Sequence, residues 1–345
     1  MLVGTGRAAG QTMAGGPDGS VEMDAAPPRL AMLIACDLPD EVSAMFERAF
    51  DVTSRRYPSA QALAEDAARL RPDVILAAVG VPVDAAAIRM LPDSVGAIAT
   101  YSVGHDHIDL DAARARGIAV FNTPDVLTEA VAEVALFLLL GAARRATESI
   151  ALLRSGQWAG WTPTQLNGVE LWGKTLGIFG MGRIGRAIAA RARGFGMSIR
   201  YCSRNRLPPE AEEGAAYHSD PQEMFALLDA LVLACPATPE TRGFLDARRI
   251  GWLKPGALVV NIARGNVVVD DDLIAALLEG RIRAAGLDVF NGEPGIDPRY
   301  HDLPNVFMLP HIGSSTVETR RRMGRILIEG ISAWRAGVAP GNRLV

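Results

Sequence analysis

From Arg29 onward, short apolar runs alternate with stretches whose apolar residues recur at helical spacing. Runs of this kind between polar breaks read as buried strands, and the one-sided stretches read as amphipathic helices. A first series predicts strands over 30–35, 50–53, 74–78, 97–100 and 118–121, with helices over 41–49 and 60–70. A second series predicts strands over 176–179, 198–202, 230–234, 257–262, 285–289 and 306–309, with a helix over 270–279. Strands that are apolar on both faces and linked by helices predict parallel sheets covered on both sides. The expected fold class is α/β, with two doubly wound parallel-sheet (Rossmann-like) domains and a cleft between them.

The two series are joined by a helix over 129–145 that Thr128 is placed to cap and that carries Arg144 and Arg145 in its last turn. Residues 131–140 are apolar almost all round, so this helix is expected to be buried. The stretch 154–173 reads as loop, and its Trp158, Trp161 and Trp172 read as core anchors. A last helix over 317–335 is expected to pack back on the first series. The chain then crosses between lobes near 122–125 and near Pro310, which makes a hinge. The domains expected are 29–124 with 311–345 for the substrate and 125–310 for a dinucleotide. Residues 1–28, rich in Gly, Ala, Asp and Pro, are expected to form a disordered extension, with Met23 and Met32 available as later starts.

Composition narrows the function. The 345 residues are 49% hydrophobic, enough for two cores, and the net charge of −4 offers no basic field for a nucleic acid. The three cysteines, Cys36, Cys202 and Cys235, show neither a metal spacing nor an even disulfide count. A reducing cytoplasm is therefore expected, and no metal. The longest apolar stretch, 134–143, falls short of the ~20 residues that span a bilayer. No secretory or transit signal is expected at the N-terminus, so no membrane partner is expected either.

The most informative stretch is 176–196. An apolar strand runs into Gly180, Gly182 and Gly185 in G-x-G-x-x-G spacing, and Ile184, Ile188 and Ala192 follow at helical spacing. A dinucleotide site needs this order: a tight turn, a bare backbone beside the pyrophosphate, and close helix–strand packing. The helix N-terminus then presents free N–H groups to the anion. A carboxylate for the ribose should follow about 20 residues on. Instead the chain reads Ser203-Arg204-Asn205-Arg206, a hydroxyl and two guanidinium groups suited to a 2′-phosphate. NADP(H) is expected as the preferred cofactor, with NAD(H) as the alternative.

Three polar residues follow apolar strands in the second series: Arg264, Glu293 and His311. Strand carboxyl ends line the ligand crevice of an open parallel sheet. A carboxylate-supported histidine is a tuned proton donor, and an arginine is a fork for a carboxylate substrate. Singly, each also suits a structural role, Arg264 and Glu293 as an ordinary ion pair and His311 as a cap. Behind a nucleotide fingerprint, their combination points to redox chemistry on a small acid.

With these residues in place, the sequence resembles the D-isomer-specific 2-hydroxyacid dehydrogenases, and within them the NADP-dependent glyoxylate/hydroxypyruvate reductases. The resemblance runs from Arg29 to the C-terminus and rests on 102–109 (SVGHDHID), 122–128 (NTPDVLT), Gly180 to Gly185, 261–265, 286–290 and 310–314. It implies that the Val103 and Gly104 amides receive the substrate carboxylate, that Arg264 binds the carboxylate and 2-oxo group, and that His311 is the acid/base whose pKa Glu293 raises. It implies cofactor contacts from Gly180, Gly182, Arg183, Ile184 and Gly185, and from Ser203, Arg204 and Arg206 at the 2′-phosphate. Pro236, Thr241, Ala263, Asp288 and Gly313 complete the nicotinamide and adenosine path. It also implies a homodimer in which Trp161 crosses to the neighbour's site. His105 and His107 are expected to be structural or solvated, not metal ligands.

The expected reaction is NADPH-dependent reduction of glyoxylate or hydroxypyruvate to the (R)-2-hydroxy acid. A 2-ketogluconate or other 2-oxo acid reductase is the alternative on the same frame, decided by a pocket that the loop 78–82 is expected to line. A nicotinamide-sensing binding protein is the alternative of a different class; the intact Arg264, Glu293 and His311 set argues against it.

Overall fold

The computed structural model describes residues 28–345. The extension expected over 1–28 lies outside the described residues, Pro28 apart. Two parallel sheets organise the chain. The first has five strands: β1 (Ala31–Ile34), β2 (Asp51–Ser54), β3 (Val74–Ala77), β4 (Ala97–Thr100) and β5 (Ala119–Phe121), in the order β2-β1-β3-β4-β5. The second has seven: β6 (Thr175–Phe179), β7 (Ser198–Cys202), β8 (Ala216–Tyr217), β9 (Ala230–Leu233), β10 (Ala257–Asn261), β11 (Ile282–Leu287) and β12 (Val306–Met308). Their order is β12-β11-β10-β9-β6-β7-β8. Each order reverses once, between β1 and β3 and between β6 and β9. Such a reversal leaves a crevice outside the strand carboxyl ends where ligands bind.

The α/β class read from the hydrophobic pattern is the one observed. Central strands such as β3, β4, β9 and β10 are buried throughout, which is why they read as unbroken apolar runs. The two-residue edge strand β8 was too short to announce itself. β11 starts at Ile282, three residues before the expected 285, because the exposed Arg283 breaks its apolar run.

The helix between the lobes departs from expectation at both ends. It spans Thr128–Ala143, so Thr128 is its first residue and not its cap, and Leu127 precedes it with no side-chain cap. Arg144 and Arg145 lie beyond its last turn. Arg145 takes a left-handed backbone (φ 53°), which stops the helix and opens another, Ala146–Arg154. The Arg145 guanidinium donates to Glu148 at 2.7 Å instead of facing the first helix's carbonyls. The all-round apolarity of Thr128–Ala143 reflects direct seating on the second sheet. A Cβ on Gly286 of β11 would stand 2.8 Å from the Leu138 carbonyl oxygen, so glycine lets sheet and helix meet backbone to backbone.

The last helix, Val317–Arg335, packs on Asp40–Ala49 beside the first sheet. Beyond it, Asn342 donates to the Asn122 carbonyl at 3.1 Å and Arg343 bridges Phe121, tying the chain end to the first crossing. The three tryptophans are not core anchors within the chain. Trp158 is 51% exposed, Trp161 79% and Trp172 77%; their rings lie on the surface although Leu171 of the same loop is buried.

Candidate active site

The glycine fingerprint sits at the reversal of the second sheet. Gly180 follows β6 with φ 104°, a conformation that side chains rarely adopt. A Cβ there would stand 2.7 Å from the Ala234 carbonyl, so the ends of β6 and β9 press together. A Cβ on Gly185 would stand 2.3 Å from the Gly180 oxygen, which fixes helix Arg183–Gly194 close above the strand. Gly182 precedes that helix with no side-chain cap, and nothing lies within 4 Å of where its Cβ would be. Open space thus faces uncapped helix amides, as a pyrophosphate requires. Arg183 pairs with Asp125, which ties the helix start to the first crossing.

At the end of β7 the expected basic loop is divided in its allegiance. The Arg206 guanidinium donates to Glu212 at 2.8 Å and lies over the Tyr217 ring, so this expected cofactor contact is already engaged. The Ser203 hydroxyl donates to the Asn205 carbonyl at 2.6 Å. Arg204 is exposed and forms no ion pair among the described residues. On the loop after β9, the Thr241 hydroxyl donates to the Pro236 carbonyl at 2.7 Å and accepts the Thr238 amide at 2.8 Å. That brace holds Pro236 in the wall of the cleft.

The cleft encloses about 300 Å³ and gathers residues from both sheets. Val79, Ser102, Val103 and Gly104 reach it from the first, and Ile184, Pro236, Ala263, Arg264 and Asp288 from the second. His311, Gly313 and Ser314 enter from the second crossing. Glu293 stands behind His311. The His311 Nδ1–H donates to Glu293 Oε2 at 2.7 Å, which leaves Nε2 as the ring nitrogen for the cleft. Glu293 Oε1 accepts the Phe290 amide, also at 2.7 Å. Burial works toward the neutral acid, but the hydrogen bonds from His311 and Phe290 outweigh it and hold Glu293 below its ordinary value. A full negative charge therefore faces His311 across neutral pH.

His311 has a left-handed backbone (φ 53°). The two residues after it are clamped: Asp288 accepts the Ile312 and Gly313 amides, each at 2.8 Å. Burial nonetheless raises Asp288 above its ordinary value. The turn carrying Arg264 is braced in the same way by Asn261 at the end of β10. Its side chain accepts the Ala263 amide and donates to the Arg264 carbonyl, both at 3.0 Å.

Arg264 does not pair with Glu293, which disposes of the ordinary ion pair considered above. Its Nε donates to Asp106 at 3.1 Å, across the cleft from the first lobe. A Cβ on Gly104 would stand 1.7 Å from Arg264 Nη2, so the glycine makes room for the guanidinium over the 102–109 loop. Burial opposes ionisation of Asp106, but the Arg264 charge and its hydrogen bond prevail and keep the carboxyl below the usual aspartate range. Sequence reading did not assign Asp106 a role. The available signal was its place in the 102–109 motif, but its partner lies 158 positions away. Beside it, burial pushes the His107 ring down to about 4, so it is neutral at pH 7 and bonds Thr100 Oγ1 at 2.9 Å. Trp161 is not brought to this cleft within the chain; it lines a separate surface hollow with Trp158 and Arg144.

The chain can be compared with proteins already known. The model for the NAD binding domain of D-isomer specific 2-hydroxyacid dehydrogenases matches residues 136–313. The glycerate dehydrogenase of Hyphomicrobium methylovorum is 47% identical over 238 residues, 68% of this chain and 74% of its own. The glyoxylate reductase of Thermococcus litoralis is 40% identical over 316 residues, 90% of this chain and 95% of its own. Among solved structures, the NADPH-dependent glyoxylate/hydroxypyruvate reductase of Sinorhizobium meliloti, in complex with NADP and malonate, superposes with a TM-score of 0.83. It is 32% identical, and the match covers 92% of this chain and 97% of that one. Fold, fingerprint and relatives agree: the chain belongs to the D-isomer specific 2-hydroxyacid dehydrogenase family and is an oxidoreductase of that class.

Proposed function

We propose that the protein reduces a small 2-oxo acid, glyoxylate or hydroxypyruvate, to the (R)-2-hydroxy acid with NADPH. The observation that carries this reading is the 2.7 Å contact of His311 with Glu293 in a cleft that also holds Arg264. The names of the relatives, two of them glyoxylate-reducing, support it. The open Gly182 cradle fits a dinucleotide. A nicotinamide dinucleotide bound there supplies the hydride. The Val103 and Gly104 amides and Arg264 hold the substrate carboxylate. Arg264 also faces the C2 oxygen and stabilises the charge that develops on it. His311 delivers a proton to that oxygen from Nε2, while Glu293 keeps the ring oriented through Nδ1. Asp106 acts through Arg264, whose fork it orients.

The same reading takes 29–124 with 311–345 as the substrate lobe and 125–310 as the dinucleotide lobe, hinged where the chain crosses. It also takes the protein as a cytoplasmic homodimer. Among the described residues no helix is long and apolar enough to cross a membrane. Phe137 on the inter-lobe helix and Trp161 after it are exposed, and a second copy would cover them.

Replacing His311 by Ala should lower kcat for glyoxylate by ~10²–10⁴-fold, with NADPH binding retained. Glu293→Gln should also lower kcat, because an amide holds the Nδ1–H less firmly than a carboxylate and the ring loses its fixed orientation. Wild-type kcat in Glu293→Gln would remove Glu293 from its role. Wild-type kcat in His311→Ala would overturn the mechanism.

Cofactor preference rests on Arg204, the loop guanidinium without an ion-pair partner. Arg204→Ala should raise KM for NADPH by about tenfold or more, since a charge-assisted bond contributes ~1.5–3 kcal/mol before screening. KM for NADH should barely move, and an equal rise with both cofactors would refute the assignment. Sedimentation at micromolar concentration should give twice the chain mass. A fully active monomer would remove the cross-subunit role of Trp161.

A further inference from the structure

The first sheet has a switch point of its own. Its strand order reverses between β1 and β3, and the crevice at such a reversal is where open parallel sheets take ligands. A cavity of about 560 Å³ lies there. Asp37 and Leu38 after β1, Ala78 and Gly80 after β3, Tyr101 after β4 and Arg320 of the last helix line it. Val79, Ser102, His311 and Ser314 line both this cavity and the catalytic cleft, so the two spaces meet at His311. Arg264 and Gly104 belong to the cleft alone, and Arg320 to the second cavity alone.

Arg320 is held but not neutralised. Its guanidinium donates to Ser315 Oγ at 2.9 Å and lies 5.8 Å from the centre of the Tyr101 ring. The Tyr101 hydroxyl donates to its backbone carbonyl at 2.5 Å. No carboxylate pairs with it among the described residues. Asp37, which also lines the cavity, and Glu41 of the helix that follows it pair with Arg56 and Arg321 instead. Burial pushes the Arg320 guanidinium below its usual value, the mark of a charge short of a counterion. A half-buried cation facing a cavity at a switch point is matched by an anion that enters with the ligand.

We infer that Arg320 anchors the far end of the substrate, so that the cleft also takes 2-oxo acids whose tail ends in a second carboxylate. This rests on the 2-oxo acid reading above, with the C1 carboxylate at Gly104 and Arg264 and the reacting carbonyl at His311. One guanidinium matches one carboxylate fork. A dianionic phosphate would leave charge uncompensated beside Asp37. Glyoxylate has no tail and does not reach Arg320.

The test is kcat/KM with NADPH for wild type, Arg320→Gln and Arg320→Lys on glyoxylate, 2-oxoglutarate and 2-oxohexanoate, a neutral acid of similar length. Thermal melts show that each variant is folded. The wild type should reduce 2-oxoglutarate. Arg320→Gln should lower kcat/KM for 2-oxoglutarate, through KM, about tenfold or more relative to both other acids. Arg320→Lys, which keeps the charge, should recover part of that ratio. A wild type that reduces glyoxylate but not 2-oxoglutarate would overturn the subsite and leave the reductase reading standing. Equal proportional losses on all three acids would also overturn it, by making Arg320 a structural residue of the His311 turn. Failure of the wild type on every acid would overturn the reductase reading and the subsite with it.

Discussion

The hydrogen bond from His311 Nδ1 to Glu293 is the contact on which the site's chemistry depends. It selects the tautomer, aims Nε2 at the cleft and sets a negative charge behind the ring that delivers the proton in the proposed reaction. The contact is maintained by neighbours that do no chemistry. Glu293 is fixed by the Phe290 amide, and the turn after His311 is fixed by Asp288. A left-handed histidine whose ring is held by Glu293, and whose next two residues are held by Asp288, has little freedom to wander, which is the preorganisation that the proposed proton transfer needs.

The fold makes that contact possible by placing three strand ends side by side. β10, β11 and β12 are neighbours in the second sheet, and Arg264, Glu293 and His311 follow them in that order. A Cβ on Gly265 would stand 1.9 Å from the Phe290 carbonyl carbon, so the Arg264 turn lies directly against the segment that leads to Glu293. The first lobe contributes from across the cleft, where Asp106 grips Arg264 and Gly104 yields space to it. Arg264 thus belongs to the second sheet by sequence and to the interface of the two lobes by contact.

What the sequence disclosed followed from local pattern. Unbroken apolar strands, the glycine spacing at Gly180 to Gly185 and polar residues just past strand ends are each written within a few positions. Interactions between distant segments were not written there. The pairing of Asp106 with Arg264 depends on how two sheets face each other, and the engagement of Arg206 by Glu212 depends on a turn of helix with no strong periodicity. The tryptophans misled because an apolar residue in a loop signals burial without saying by what. Helix Thr128–Ala143 ran two residues short of the expected end because Arg145 adopts a left-handed backbone, which helix propensity does not forecast.

In the proposed reaction Gly104 and Arg264 fix the substrate carboxylate while His311 fixes the C2 oxygen, so that a single face of C2 is offered to the hydride. The most direct measurement is the configuration of the glycerate formed from hydroxypyruvate and NADPH, resolved by chiral chromatography. The (R) enantiomer alone is expected. Formation of the (S) enantiomer, or of a mixture, would contradict it.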